Sequence, residues 1–385
     1  MTEKLYYADA YLTTFTARVV SCRKGARGWE TVLDRTAFYP EGGGQAGDTG
    51  ILGGVQVTDT RERDGEIVHC CDGELPEGSE VSGEIDWARR FDLMQQHSGE
   101  HIVSGLIHRR FGFNNVGFHM GSAVTAIDFD GIVTAEELSE IERQANETVW
   151  ADVPVDASFP PPEELERIEY RSKKELTGAV RIVAIPGADV CACCGTHVAR
   201  TGEIGPIRFL SCQKLRGGVR VELVCGVRAY DYTAAVMEQN RRVSNLLSAK
   251  PLETAEAVYR LQADHQDVSY RLVGLENRLF ALRAETLSGA GCQQTLLFEP
   301  DLTPDALRRL CDAVMKRRGG LCAAFSGEDD TGYKYAVGQT GGDVRALIKE
   351  MNAALHGRGG GKPSFAQGSV DASRAEIEAF FHTFS

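Results

Sequence analysis

Nowhere in this chain do about eighteen apolar residues run together, and its first residues, MTEKLYYADAYLTTF, lack the basic-then-apolar layout of a secretion signal. No membrane association is therefore expected, and the expected compartment is the cytoplasm. Positive charge is also scarce. Lys and Arg number 42 against 55 Asp and Glu, a formal net charge of −13, which argues against a broadly basic nucleic-acid surface. An RNA partner would have to meet local basic patches. Paired cysteines are not expected either: the count of 11 is odd, Cys70 and Cys71 are adjacent, and a cytosolic chain keeps its thiols reduced. What is present is ordinary globular composition, 42% hydrophobic and 25% charged, over 385 residues. That length suffices for two or three domains, each with its own core.

Metal binding is the better use for clustered cysteines, and CACCGTHV, residues 191–198, packs three of them beside a histidine. Thiolate and imidazole together are zinc donors. Further ligands are expected from DLMQQHSGEHIVSGLIHRRFG, residues 92–112, where Leu93, Ile102, Leu106 and Ile107, with a closing Gly112, read as a helix. On that helix His97 and His101 stand four apart on one face, so both imidazoles can reach one ion. With Cys193 and His197 they make two short ligand pairs separated by a long insertion, a common way to build a zinc site. Cys194 is adjacent to a proposed ligand and should point elsewhere. Cys191 reads as a thiol behind the ligands, an alternative ligand or a small buried residue. Four protein ligands favour a structural zinc, whereas catalysis wants an open position; the residues leave both possible. HSGEH also fits the H-x-x-E-H pattern of inverted-zincin metallopeptidases, with Glu100 as base, but a Cys193 thiolate is out of place among their ligands.

QQHSGEH, followed by CCGTHVARTGEIGPIRFLSCQKLRGGVRVELVCG, resembles the editing domain of alanyl-tRNA synthetase and its free-standing relatives, the AlaX trans-editing proteins. LDRTAFYPEGGGQAGDTG, residues 33–50, with Gly42, Gly43, Gly44 and Gln45, is similar to the glycine-rich motif of the longer AlaX proteins. HGRGGGKPSFAQGSV, residues 356–370, resembles the carboxy-terminal domain of alanyl-tRNA synthetases, also known as the DHH-associated domain. No class II aminoacylation domain precedes these motifs, so the resemblance is to the long form of AlaX. One departure stands out: the family usually carries glycine where this chain has Cys194.

The pattern along the chain gives the same α+β multidomain layout. Residues 1–88 alternate short β-rich runs with turn signals, as a small N-terminal β-barrel would. Its three consecutive glycines suit either a tight loop or close approach of a ligand or neighbouring chain. Residues 89–230 mix helical and strand patterns around both ligand pairs, an α+β zinc editing domain in which VTAEELSEIERQANETVW opens with a helix-starting Thr. Residues 231–288 form a helical linker. Leu261, Val268, Leu272, Leu275, Leu279 and Leu282 follow a heptad interrupted by His265, which predicts a coiled-coil seam or, across Pro251, one arm of a helical hairpin. After SGAGC, residues 289–385 read as a C-terminal α/β domain in which GRGGGKPSFAQG is expected to be a glycine-rich loop. Such a loop is weak evidence for phosphate binding.

The resemblance implies trans-editing, the hydrolysis of an aminoacyl ester on tRNA(Ala) mischarged with serine, with glycine as the second candidate. Zn2+ can activate water and polarise the ester carbonyl. His119 occupies the place of a polar substrate-contacting residue in related editing domains and reads either as a positioner of water or substrate or as an ordinary strand histidine, while Thr196 and Ser122 offer hydroxyls to read a seryl side chain. Arg358 and Lys362, with Arg317 and Arg318, are the expected tRNA contacts, and the linker with the C-terminal domain is the expected homodimer interface. The rival from another class is a non-catalytic tRNA-binding protein with a purely structural zinc.

Overall fold

A computed structural model describes residues 2–25, 28–172, 178–287 and 293–383. The chain divides into two compact units, Met1–Asn240 and Arg241–Ser385. The 288/289 boundary and the SGAGC stretch lie outside the described residues.

The first unit opens with a closed six-stranded barrel of β1 (Thr14–Gly25), β2 (Gly28–Leu33), β3 (Gly50–Leu52), β4 (Val55–Arg63), β5 (Glu66–Cys71) and β6 (Glu80–Ile85), in the order β1-β2-β5-β4-β3-β6. Alternating inward residues such as Val19, Leu33, Leu52, Val57 and Val81 fill it. Helix α1 (Trp87–Phe111) follows at once. Asp86 caps its first turn by accepting from the Arg89 N–H, and Gly112, in the left-handed conformation, ends it. Residues 93–107 of this helix are all buried, so it is a core element. Near its start the fully buried Arg90 clamps helix to barrel: it is ion-paired to Asp48 and donates to the carbonyls of Ala10 and Ala37 at 2.8 and 2.6 Å.

Beyond α1, strands β7 (Asn115–Met120) and β8 (Thr125–Phe129) precede helix α2 (Ala135–Trp150), whose Thr134 and Glu137 form a reciprocal capping box. A three-stranded antiparallel sheet consists of β9 (Asp156–Ser158), β10 (Ile182–Ile185) and β11 (Asp189–Ala192). Strands β12 (Ile207–Leu215) and β13 (Gly218–Cys225) complete a four-stranded sheet in the order β12-β13-β8-β7. Ile102, Val103 and Leu106 of α1 share one core with Ile127, Ile141, Val183 and Val221, which places α1 between the two sheets and carries its histidines to the end of β11.

Helix α3 (Gly226–Leu247) runs across the unit boundary. Within the second unit α4 (Thr254–Thr286) is a single 33-residue helix. Then come β14 (Gln294–Phe298), α5 (Pro304–Arg318), β15 (Leu321–Glu328), β16 (Gly332–Gln339), α6 (Arg345–Ala354), β17 (Arg358–Lys362), β18 (Phe365–Val370) and α7 (Arg374–His382), with sheet order β14-β15-β16-β18-β17. The expected glycine-rich loop is instead a hairpin. A Cβ on Gly359 would lie 2.4 Å from the Gln367 carbonyl and one on Gly361 2.2 Å from that of Phe365, so the glycines let edge strand β17 close on β18. Among the described residues no helix is long and apolar enough to cross a membrane.

Candidate metal centre

Both ligand pairs meet. His97 and His101 project from one face of α1, and Cys193 and His197 come from the loop that leaves β11; their donor atoms all lie within 4.8 Å of one another. Arg181 holds that loop, donating to the carbonyls of Cys193 and Gly195 at 3.0 and 2.9 Å. His97 Nε2 is 3.3 Å from Cys193 Sγ. The Nε2 atoms of His101 and His197 are buried with no hydrogen-bond partner. Buried nitrogens left unpaired are costly, and a cation among them removes that cost. Three imidazoles and one thiolate are the donor set of a borderline-soft divalent ion of the zinc kind.

The far nitrogen of each ring is held in place. Nδ1 of His101 meets Asp189 at 2.9 Å, that of His97 meets Gln45 Oε1 at 3.0 Å, and that of His197 meets Ser98 Oγ at 3.3 Å. Asp189 is in turn gripped by Arg171 through two bonds of 2.7 Å, which neutralises its carboxylate and keeps it behind the ligand. Cys191 is buried beside His101 and Asp189, the position of a thiol behind the ligands. Burial alone would raise the Cys193 thiol, but the charge of His97 and His197 beside it holds it well below its ordinary range. Burial, then repulsion from His97, pushes His197 down to about 3, so it presents a neutral lone pair. For His101 burial works downward, but the hydrogen bond to Asp189 and the nearby thiols carry it well above its usual value. The four groups therefore stabilise one added positive charge, as a proton or as a metal ion that displaces it.

The other expected site residues are placed less uniformly. Gln45 is buried at the centre, whereas Gly42, Gly43 and Gly44 form the turn that delivers it. Thr196 lies in the ligand loop, 1% exposed, with Oγ1 accepting from Gln45 Nε2 at 2.7 Å. His119 does not join the cluster. Its neighbour Phe118 faces His97, with ring centroids 5.3 Å apart, and strand alternation turns the exposed His119 to the opposite face of the sheet. Ser122 is exposed in the turn between β7 and β8. Cys194 is exposed and lies against Tyr7 rather than among the ligands. Glu100, the base of the peptidase reading, is buried and accepts from Ser104 at 2.6 Å and from Asn115. In the second unit Arg358 and Lys362 are exposed on β17, with Arg317 and Arg318 closing α5. Ser326, Lys334, Ser369 and Arg358 stand side by side on four adjacent strands and line a cavity of about 970 Å³. Sequence reading missed Ser98, Asp189, Arg171 and Arg181. Only Ser98, next to a ligand, carried any local signal.

Three family models match the chain: Threonyl and Alanyl tRNA synthetase second additional domain over residues 180–222, tRNA synthetases class II (A) over 3–89, and DHHA1 domain over 290–385. The alanyl-tRNA editing protein AlaX-L of Pyrococcus horikoshii is 30% identical over 98% of this chain and 96% of its own length. Alanine–tRNA ligases of Pyrobaculum calidifontis and Halobacterium salinarum are 35% and 34% identical over 95% and 97% of this chain, which spans 42% and 43% of their length. The solved C-Ala domain of Aquifex aeolicus alanyl-tRNA synthetase matches 26% of this chain and 92% of its own at 19% identity, with a TM-score of 0.23, too low to carry an argument.

Proposed function

The chain belongs to the family of AlaX-type alanyl-tRNA editing proteins, and from that premise we propose that it is a zinc-dependent deacylase acting in trans on tRNA(Ala) mischarged with serine, with glycine as second substrate. The observation that carries this reading is the convergence of His97, His101, Cys193 and His197 on one point. The reaction is hydrolysis: water adds to the ester carbonyl, the bond to the terminal ribose oxygen breaks, and that oxygen takes a proton as free amino acid leaves. Bound zinc would supply Lewis acidity at this centre. The chain's own part is to hold four donors in one geometry and to fix each imidazole from behind through Gln45, Asp189 and Ser98. Cys193 is the least enclosed of the four, partly exposed where the three histidines are buried, and in this reading substrate approaches from its side. Thr196 Oγ1 accepts from Gln45 and keeps its own hydrogen to donate to a seryl hydroxyl. A site that binds a substrate hydroxyl can discriminate against the analogue lacking it by about 10⁴ or more.

In this reading residues 1–88 support the centre, 89–230 carry it, and 231–288 with 289–385 pair two copies and hold the tRNA body in the cytoplasm. The test is single-turnover deacylation of Ser-, Gly- and Ala-tRNA(Ala) by protein as purified, chelator-treated and zinc-restored. About one zinc per chain is expected, with rapid loss of serine, sparing of alanine, no activity after chelation, and most of the metal lost in Cys193→Ala. Full activity in metal-free protein would refute the role of zinc. Tight tRNA binding without deacylation would make the protein a non-catalytic tRNA binder.

A further inference from the structure

We propose that Gln45, supplied by the barrel, is a positioning residue of the metal centre that fixes the tautomer of His97 and the course of the ligand loop together; the inference rests on the metal reading above. Gly42 and Gln45 exchange backbone hydrogen bonds of 3.0 Å in both directions, and Gly43 and Gly44 between them take φ of +60° and +85°. This tight turn is open to glycine and closed to almost every other residue. It drives the Gln45 side chain inward to 0% exposure.

Three bonds hold the amide there. Oε1 accepts the Thr196 N–H at 3.1 Å and lies 3.0 Å from His97 Nδ1, while Nε2 donates to Thr196 Oγ1 at 2.7 Å. A backbone N–H can only donate, so the amide atom facing Thr196 N must be the oxygen. The same oxygen faces His97 Nδ1, which must therefore carry the proton. The His97 lone pair then sits on Nε2, the nitrogen 3.3 Å from Cys193 Sγ. Gly195 makes room for this contact: a Cβ there would fall 2.2 Å from His97 Cε1 and 3.0 Å from Gln45 Oε1. Asp189 and Ser98 support the other two rings from within the strands and helix that carry the ligands. Gln45 comes from outside them, 52 residues before His97 and 151 before Thr196. The glycine-rich motif is thus part of the metal centre.

The experiment measures zinc affinity of the full-length protein by competition with a chromophoric chelator, for wild type, Gln45→Leu and Gln45→Glu, with melting curves to confirm folding. Leucine removes the acceptor and should weaken zinc binding roughly ten- to a hundredfold. A glutamate carboxylate can accept from both His97 and Thr196, with the Thr196 hydroxyl turning to donate, so Gln45→Glu should retain wild-type affinity within about threefold. Imidazole ¹⁵N shifts should report His97 protonated at Nδ1 in wild type and Gln45→Glu. Equal zinc affinity in wild type and Gln45→Leu would overturn the proposal while leaving the metal reading intact. Loss in Gln45→Glu as large as in Gln45→Leu would overturn the acceptor role, and wild type that binds no zinc would overturn both readings.

Discussion

At the residue scale, burial lowers the pKa of every histidine it encloses, and the groups facing the ring decide on which side of its ordinary value each one ends. His101 is buried against the Asp189 carboxylate and is held well above its ordinary pKa. His69, fully buried in the barrel, meets the Thr31 carbonyl at 3.0 Å and the Thr36 hydroxyl at 2.8 Å. The carbonyl fixes its proton on Nδ1, Thr36 donates to Nε2, and burial pushes its pKa down to about 4. The unfolded group titrates near 6.5. Between those values the unfolded chain binds more protons, so the contribution of His69 is full above pH 6.5 and is lost as pH falls towards 4. At pH 5 the loss is about 2 kcal/mol. His69→Gln can satisfy the same partners without titrating, and its denaturant stability should fall less between pH 7 and pH 5 than that of wild type by about that amount. Equal slopes would show that His69 is not held neutral. The site's legibility also divides at this scale. His97 and His101 were readable because helical spacing couples them, and Cys193 and His197 because they share one short loop. Asp189 and Arg171 were not, and Gln45 was named with its glycine-rich motif but not its contact with His97, because a polar residue reveals its role only through a partner that folding brings from far along the chain.

At the scale of elements, α4 has two faces with different fates. Phe280 and Ala284 are buried in one core with Leu307, Leu310 and Val314 of α5, and Arg309 of α5 pairs with Glu276 at 2.5 Å. The heptad positions point elsewhere: Leu261, Val268, Leu272, Leu275, Leu279 and Leu282 are all 55–62% exposed. An apolar stripe of that length is what a partner helix covers in a coiled coil. In the proposed homodimer, Leu272→Asp or Leu275→Asp would bury a charge in the seam. Light scattering should then show the mass halved relative to wild type, with the second unit still melting cooperatively because both positions are exposed within the chain. A dimeric mass in either variant would remove the seam from the interface. The helix was legible because an apolar repeat of seven is a local pattern in the sequence. The GRGGGKPSFAQG hairpin was not, since its glycines act by admitting a neighbouring strand, which composition cannot reveal.

At the scale of the whole molecule, charge sets the terms on which an acidic protein meets RNA. The basic residues of the second unit look numerous in sequence, but several are already spent on carboxylates: Arg308 on Asp305 at 3.0 Å, Arg309 on Glu276 and Asp305 at 2.5 and 2.9 Å, and Lys316 on Asp312 at 2.7 Å. Arg317, Arg358 and Lys362 are among the exposed cations left over, with Lys334 beside Arg358 across β18. Contacts from these residues to the tRNA body would be made equally in the ground and transition states. Removing them should therefore raise KM and leave kcat close to wild type. The full-length variant carrying Arg317→Glu, Arg358→Glu and Lys362→Glu tests this without deleting a domain that shares its core with α4. Each lost phosphate contact should also flatten the dependence of log affinity on log salt by about one unit. Filter binding at two salt concentrations, beside single-turnover rates, reads both effects. A variant with wild-type KM and an unchanged salt slope would take tRNA binding away from this surface, and the second unit would then serve only to pair the two chains.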